Sequence, residues 1–96
     1  MKSFRTYQLA KDFYISAKRL TLSGAMKDQF DRASLSIMLN LAEGSAKPTK
    51  KDQRKFYFIA FGSLREVQSL LDLIQDEELI KGADILAAHL YKLCHS

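Results

Sequence analysis

The stretch Lys50–Gln75, reading KKDQRKFYFIAFGSLREVQSLLDLIQ, carries the longest helical pattern in the chain. Phe56, Ala60, Ser63, Val67, Leu70 and Ile74 step by alternating fours and threes. That spacing is a heptad seam, the pattern of helices that cross at about 20° in a bundle. Thr49 stands in front of it as an N-cap, and Asp52 occupies the place of the capping-box acid.

Three further helical segments flank this one. From about Phe4 to Leu22, Tyr7, Ala10, Tyr14, Ala17 and Thr21 form a stripe, which Phe13 and Leu20 widen. Ser23-Gly24 ends it, with Gly24 able to take a left-handed cap conformation. From about Met26 to Glu43, the stripe is Phe30, Ala33, Ile37 and Leu41, and the run Gly44 to Pro48 breaks it. From about Glu77 to Cys94, Leu79, Ala83, Leu86, Leu90 and Leu93 repeat the heptad steps. Asp76 can cap this last helix, and Glu77 and Glu78 suit the positive end of its dipole. Connections of about three to six residues force successive helices to lie antiparallel. The expectation is one all-α domain over residues 1–96, an up-down-up-down four-helix bundle.

Composition narrows the function classes. An apolar fraction of 47% and a charged fraction of 27% are those of a folded globular domain. The longest apolar run, Phe56 to Phe61, is far too short to span a membrane. The N-terminus lacks the apolar run of a signal peptide, and Cys94 stands alone, so a cytoplasmic protein without disulfides is expected. Net charge is +4, unevenly spread. Residues 47–65 hold six Lys/Arg against one Asp, whereas residues 66–96 hold two Lys against six acids. A basic middle beside an acidic last third suits an anionic partner or head-to-tail contact between copies.

No set of residues here can run a catalytic cycle. A carboxylate-bridged metal site needs Glu-x-x-His pairs, but Leu86 and Lys92 stand three residues before His89 and His95. Gly44 to Thr49 lacks phosphate-loop spacing, and no nucleophile has a candidate base. A non-enzymatic protein with neither metal nor cofactor is expected, with His89 half-exposed and Cys94 a small core or surface residue.

Three features exceed what an isolated bundle requires. Arg32, Ser36, Asn40 and Glu43 share one face of the second helix. Two readings fit that stripe: a solvated face, or a network in which Asn40 and Glu43 tie this helix to a neighbour. Lys47, Lys50, Lys51, Arg54 and Lys55 crowd the start of the third helix, where the dipole disfavours positive charge. This cluster is either a solubilising run or an anion site in which ammonium groups and free backbone N–H groups converge. Tyr57 and Phe58 follow it and read as packing. Finally, Leu35–Ala42 and Phe56–Phe61 are apolar nearly all round their helices, so either they form an unusually central pair or, as is expected, their outer faces, including Phe58 and Phe61, meet another copy.

Two segments carry a family resemblance. Asp28-Gln29-Phe30-Asp31-Arg32-Ala33-Ser34-Leu35-Ser36-Ile37-Met38-Leu39-Asn40-Leu41-Ala42-Glu43-Gly44 is the first, and Phe56-Tyr57-Phe58-Ile59-Ala60-Phe61-Gly62-Ser63-Leu64-Arg65-Glu66 the second. In order and spacing they resemble the bacterial 23S rRNA intervening sequence proteins, named for coding regions within inserts of ribosomal RNA genes. Arg32, Ser36, Asn40, Glu43 and Gly44 match the first motif, and Gly62, Ser63 and Glu66 the second. Gly62 and Ser63 would let a partner helix come close. The resemblance implies a bundle assembled into a homopentamer, similar in fold to accessory proteins of diversity-generating retroelements, which bind nucleic acid. The chain departs from the pattern in short first and third connections and in the few residues after Leu93. The expected function is an oligomeric bundle associated with RNA or DNA through Lys47, Lys50, Lys51, Arg54 and Lys55. The alternative is a scaffold or accessory subunit whose basic patch meets an acidic protein partner.

Overall fold

Thr49 starts the longest helix by the chemistry its sequence suggests. Its backbone is extended, and its hydroxyl accepts the Asp52 backbone N–H at 3.2 Å. The computed structural model describes residues 2–96, with side chains from Ser3 onward, and contains four helices. These are α1 (Lys2–Ala17), α2 (Gly24–Ser45), α3 (Lys50–Ile74) and α4 (Glu77–Cys94). At 1.5 Å per residue α3 is about 37 Å long, which matches the 40 Å long axis of the molecule.

Each helix packs against its neighbours in sequence, and α1 closes the circuit by packing against α4, while the diagonal pairs stay apart. Side-chain contacts give the directions. Gly44 lies against Tyr57 at one end of the α2–α3 pair, and Ser36 meets Ser63 further along. Arg54, near the start of α3, reaches Ser96 beyond the end of α4. Phe13 of α1 lies against Gly82 of α4, and Ser3 shares a cleft with Leu93. All four neighbouring pairs therefore run antiparallel, and the bundle is the up-down-up-down one expected.

Two helices present the core face that their spacing predicts. On α2, Phe30, Ala33, Ile37 and Leu41 are buried, joined by Ser34 and Gly44. On α4, Leu79, Ala83, Leu86, Leu90 and Leu93 are buried together with Cys94. The other two differ. The buried set on α3 is Tyr57, Ala60, Leu64, Val67 and Leu71, whereas Phe56, Ser63, Leu70 and Ile74 are only half-buried. The core keeps Ala60 and Val67 of the expected seam and replaces Phe56, Ser63 and Leu70 by the residue that follows each. On a helix apolar almost all round, two adjacent tracks share this spacing, and burial selects the one holding Leu64 and Leu71 over the one holding Ser63, since each leucine removes more apolar surface from water. On α1 the core residues are Ala10, Phe13 and Ala17 with Ser3 and Thr6; Tyr7 and Tyr14 flank them, and Thr21 is exposed beyond the helix.

The ends also carry corrections. Helix α1 stops at Ala17 rather than Leu22, because Lys18, Arg19 and Leu20 turn back through i→i−3 bonds to Ile15, Ser16 and Ala17. Gly24 does adopt a left-handed backbone, φ +60°, but as the first residue of α2 rather than as a cap on α1. Helix α2 continues through Gly44 to Ser45, so Gly44 is no breaker. Gln75 ends α3 in a left-handed conformation, its N–H bonded to the Leu71 carbonyl at 2.7 Å.

Asp76 then caps α4, accepting the Leu79 N–H at 2.9 Å. It also receives Arg19 at 3.2 Å, and the same guanidinium reaches Glu78 at 3.3 Å. The Leu79 N–H first, and Arg19 second, hold the Asp76 carboxyl below its ordinary range. This cluster pins the α1–α2 connection to the start of α4. Gly82 sits inside α4 without breaking it, since a side chain there would meet the Phe13 ring at 3.3 Å.

Candidate nucleic-acid interface

The five basic residues named from the sequence do gather at one end of the bundle, but they are not equivalent. Lys47 is engaged twice, pairing with Glu43 at 3.2 Å and lying 5.1 Å from the Phe56 ring centre. Lys55 pairs loosely with Asp52 at 3.8 Å. Arg54 is half-buried and donates to the Ser96 backbone oxygen at 3.2 Å. Lys50 and Lys51 are exposed, and neither forms an ion pair among the described residues. Gln53 closes the preceding turn by donating to the Lys47 carbonyl at 2.8 Å.

Beside these lies an open cleft of about 320 Å³, lined by Lys50, Gln53 and Arg54 of α3, Ser3, Ser45, Tyr57, Leu93 and Ser96. It is wide enough for a phosphate or several waters, and hydroxyls and cations furnish its walls. What it can do chemically is hold an anion by charge and hydrogen bonds.

The polar stripe on α2 divides. Ser36 Oγ and Ser63 Oγ lie 2.8 Å apart and join α2 to α3. Asn40 supports that bond, donating to the Ser36 carbonyl at 2.8 Å and to its hydroxyl at 3.1 Å. Ser36 and Asn40 thus belong to an inter-helix network. Glu43 does not tie α2 to a neighbouring helix, because its carboxylate turns to Lys47 one turn on, and Arg32 is exposed.

Of the two small residues assigned to close approach, Ser63 does meet a neighbouring helix, through Ser36 of α2, and Gly62 does not. A Cβ on Gly62 would meet nothing within 4 Å, so this glycine faces open space in the single chain. A Cβ on Gly44 would lie 2.7 Å from Tyr57 Cε1 and 3.0 Å from Phe56 Cβ. At Gly44 the side chains of α3 come too close to α2 to admit a Cβ. Glu66 is exposed.

The apolar outer faces are bare. Leu39, Phe58 and Ile59 are each more than half exposed, so Phe58 is not the packing residue its setting suggests. Phe61 is half-buried, edge-on to Tyr91, with Arg65 over its face at 4.7 Å. Tyr91 and His95, the latter weighed from the sequence only as a metal ligand, stack on one another, and only their i, i+4 spacing hints at it.

Residues with reactive chemistry lie apart from one another. Cys94 is buried, and that burial pushes its thiol pKa up. His89 is half-buried, as expected, with Nδ1 3.0 Å from the Ile85 carbonyl.

The match with known families falls on this whole arrangement: the model of the 23S rRNA-intervening sequence proteins matches residues 2–95. The chain belongs to that family. No curated protein and no solved structure matches it. Within this family member, the first signature segment is the α2 strip that carries the Ser36–Asn40 network and Gly44, and the second is the middle of α3 that answers it with Ser63 and Tyr57. No helix among the described residues is long and apolar enough to cross a membrane.

Proposed function

We propose that this family member is a non-enzymatic homo-oligomer that associates with RNA through the basic start of α3. The observation that carries the reading is the exposure of Lys50 and Lys51 without acidic partners, beside a cleft to which Arg54 also contributes. Cations at a helix N-terminus oppose its dipole, and a bound phosphate turns that opposition into attraction, since the free N–H groups and the ammonium groups then face one charge.

Assembly follows from the outer α2–α3 face. Leu39 and Ile59 are exposed on it, and Gly62 leaves room for an approaching chain. A second copy would cover them. Five copies in a ring is the number the family resemblance implies, and a ring would repeat the α3 patch around one rim and multiply a weak site.

Nothing in the patch has the geometry to read base edges, so the association is sequence-independent and driven by counterion release. The experiment is a salt titration of RNA binding by the assembled protein, its mass fixed by light scattering. Affinity is expected to fall steeply between about 50 and 200 mM salt. Replacing Lys50, Lys51 and Arg54 together by Gln should lower the slope of log K against log salt by about 2, at roughly 0.7 per single-strand phosphate contact. Light scattering should return a multiple of the 10.9 kDa protomer, reduced by Leu39→Glu or Ile59→Glu. A wild-type protein that binds neither RNA nor DNA at low salt defeats the nucleic-acid reading in favour of a protein-binding scaffold. A stable monomer at micromolar concentration defeats the assembly.

A further inference from the structure

One face of the bundle carries a feature the basic patch does not explain. Along the outer groove between α3 and α4, four rings touch in series. Phe58 meets His95 edge-on, with ring centres 5.9 Å apart; His95 stacks on Tyr91 at 4.1 Å and 25°; Tyr91 meets Phe61 edge-on at 6.4 Å. Phe58 is 53% exposed and Tyr91 55%. Single exposed apolar residues are ordinary on a protein surface, but a connected array of rings is not.

Cations bracket the array. On α3 the groove residues follow one face at i, i+4, i+7 and i+11: Arg54, Phe58, Phe61 and Arg65. Arg54 leads back to Lys50 and Lys51, and Arg65 lies over the Phe61 ring at 4.7 Å. Arg54 and Arg65 are about 16 Å apart along the helix axis, at 1.5 Å per residue. Past Arg65 acids join the groove, where Gln68 bonds Asp84 at 3.4 Å, and at the other end Asp52 is taken up by Lys55.

We propose that this groove is a stacking platform for the unpaired bases of a single-stranded nucleic acid, whose phosphates lie on Arg54, Arg65 and the lysines at the start of α3. It rests on the RNA reading above and narrows it from nucleic acid in general to single strands. Rings with free faces accept any base, and flanking cations accept the backbone, which is how sequence-tolerant single-strand sites are built. Duplex bases are already stacked on one another and cannot reach the rings. A second copy of the chain is the competing occupant; the exposed rings flanked by Arg54 and Arg65 favour a strand, which uses both stacking and phosphate contacts.

The test compares fluorescein-labelled oligouridylate with an RNA duplex of equal length, by anisotropy at about 50 mM salt. The protein is the assembled wild type and the double variant Phe58→Leu, Tyr91→Leu. The variant keeps every charge and every buried residue, so its salt slope and duplex affinity should be those of the wild type. Its single-strand affinity should fall between about five- and a hundredfold per ring lost. A second variant, Tyr91→Trp, places the only tryptophan in the chain on the platform. Oligouridylate should quench its fluorescence while binding at least as tightly as to the wild type. Unchanged single-strand affinity in the double variant, or absence of quenching in bound Tyr91→Trp, overturns the platform and leaves the basic-patch reading standing. A double variant of smaller light-scattering mass assigns the face to contact between copies and also overturns it. Wild type that binds neither RNA removes both readings.

Discussion

Gly44→Ala is expected to destabilise the protein by about 1–3 kcal/mol, the cost of overpacking a filled site. In an ordinary helix interior the same change stabilises by about 1 kcal/mol, because alanine loses less backbone entropy. Here the added methyl would sit 2.7 Å from Tyr57 Cε1 and 3.0 Å from Phe56 Cβ. The Tyr57 ring is buried, and the Phe56 Cβ is fixed to the α3 backbone, so the added methyl must push α2 and α3 apart at this point or drive the ring toward the adjoining cleft. Gly62 provides the control on the next helix. Nothing in its own chain lies within 4 Å of its Cβ position, so Gly62→Ala should stabilise the protomer by roughly 0.5–1 kcal/mol, and a loss of light-scattering mass instead would place a second copy against it. Thermal melts at one fixed protein concentration decide the matter, since assembly makes Tm depend on concentration. For a domain of this size each kcal/mol moves Tm by about 4–8 °C. A Gly44→Ala protein that melts at or above the wild type would show that α2 and α3 are not in contact at that point.

The largest effect is expected at Leu64. It is completely buried in the centre of α3, and truncation to Ala should cost about 2–5 kcal/mol through lost transfer energy and the cavity left behind. Leu70→Ala, on the half-buried track beside it, should cost less than about 2 kcal/mol because only part of that side chain leaves water. Since domains of this kind are stable by about 5–15 kcal/mol, the Leu64 variant loses a large part of the total. Urea titrations of the two variants rank the tracks directly. Equal costs, or a larger cost at Leu70, would return the core seam to Phe56, Ser63 and Leu70.

These two positions also mark how far the sequence could be read. Helix count, order and antiparallel topology followed from spacing and short connections, and the caps at Thr49 and Asp76 from side-chain chemistry. The buried face of α4 was legible because polar residues bound its stripe, and that of α2 because Ser36 and Asn40 interrupt its apolar run. On α3 polar residues give no such boundary: Phe56, Tyr57, Phe58 and Ile59 are apolar in succession, and periodicity cannot separate adjacent tracks on such a surface. Gly44 looked like a helix stop because glycine so often is one, and its use as a gap for Tyr57 depends on a residue thirteen positions away. The basic cluster was legible as composition. That Lys47 and Lys55 are paired while Lys50 and Lys51 are not depends on where Glu43 and Asp52 point, which spacing suggests only weakly. The ring series through Tyr91 and His95 joins two helices and leaves no mark on either alone.

The circuit of helix contacts has one seam with no loop behind it, α1 on α4, and this bears on how the protein comes apart. Among the described residues, helix α1 fully buries one large side chain, Phe13, beside Ala10, Ala17, Ser3 and Thr6, while Tyr7 and Leu9 pack against the core only partly buried. Its ends carry neither an acid in the first turn nor a base in the last. Helices α2 to α4 have connections of four and two residues and share most of the buried leucines. The least costly sub-global opening is therefore a swing of α1 on residues 18–23, which bares Phe30 and Leu79 while the other three helices stay together. Backbone amides of α1 should exchange with solvent deuterium well before those of α3; uniform protection across all four helices would mean that the bundle opens only as a whole.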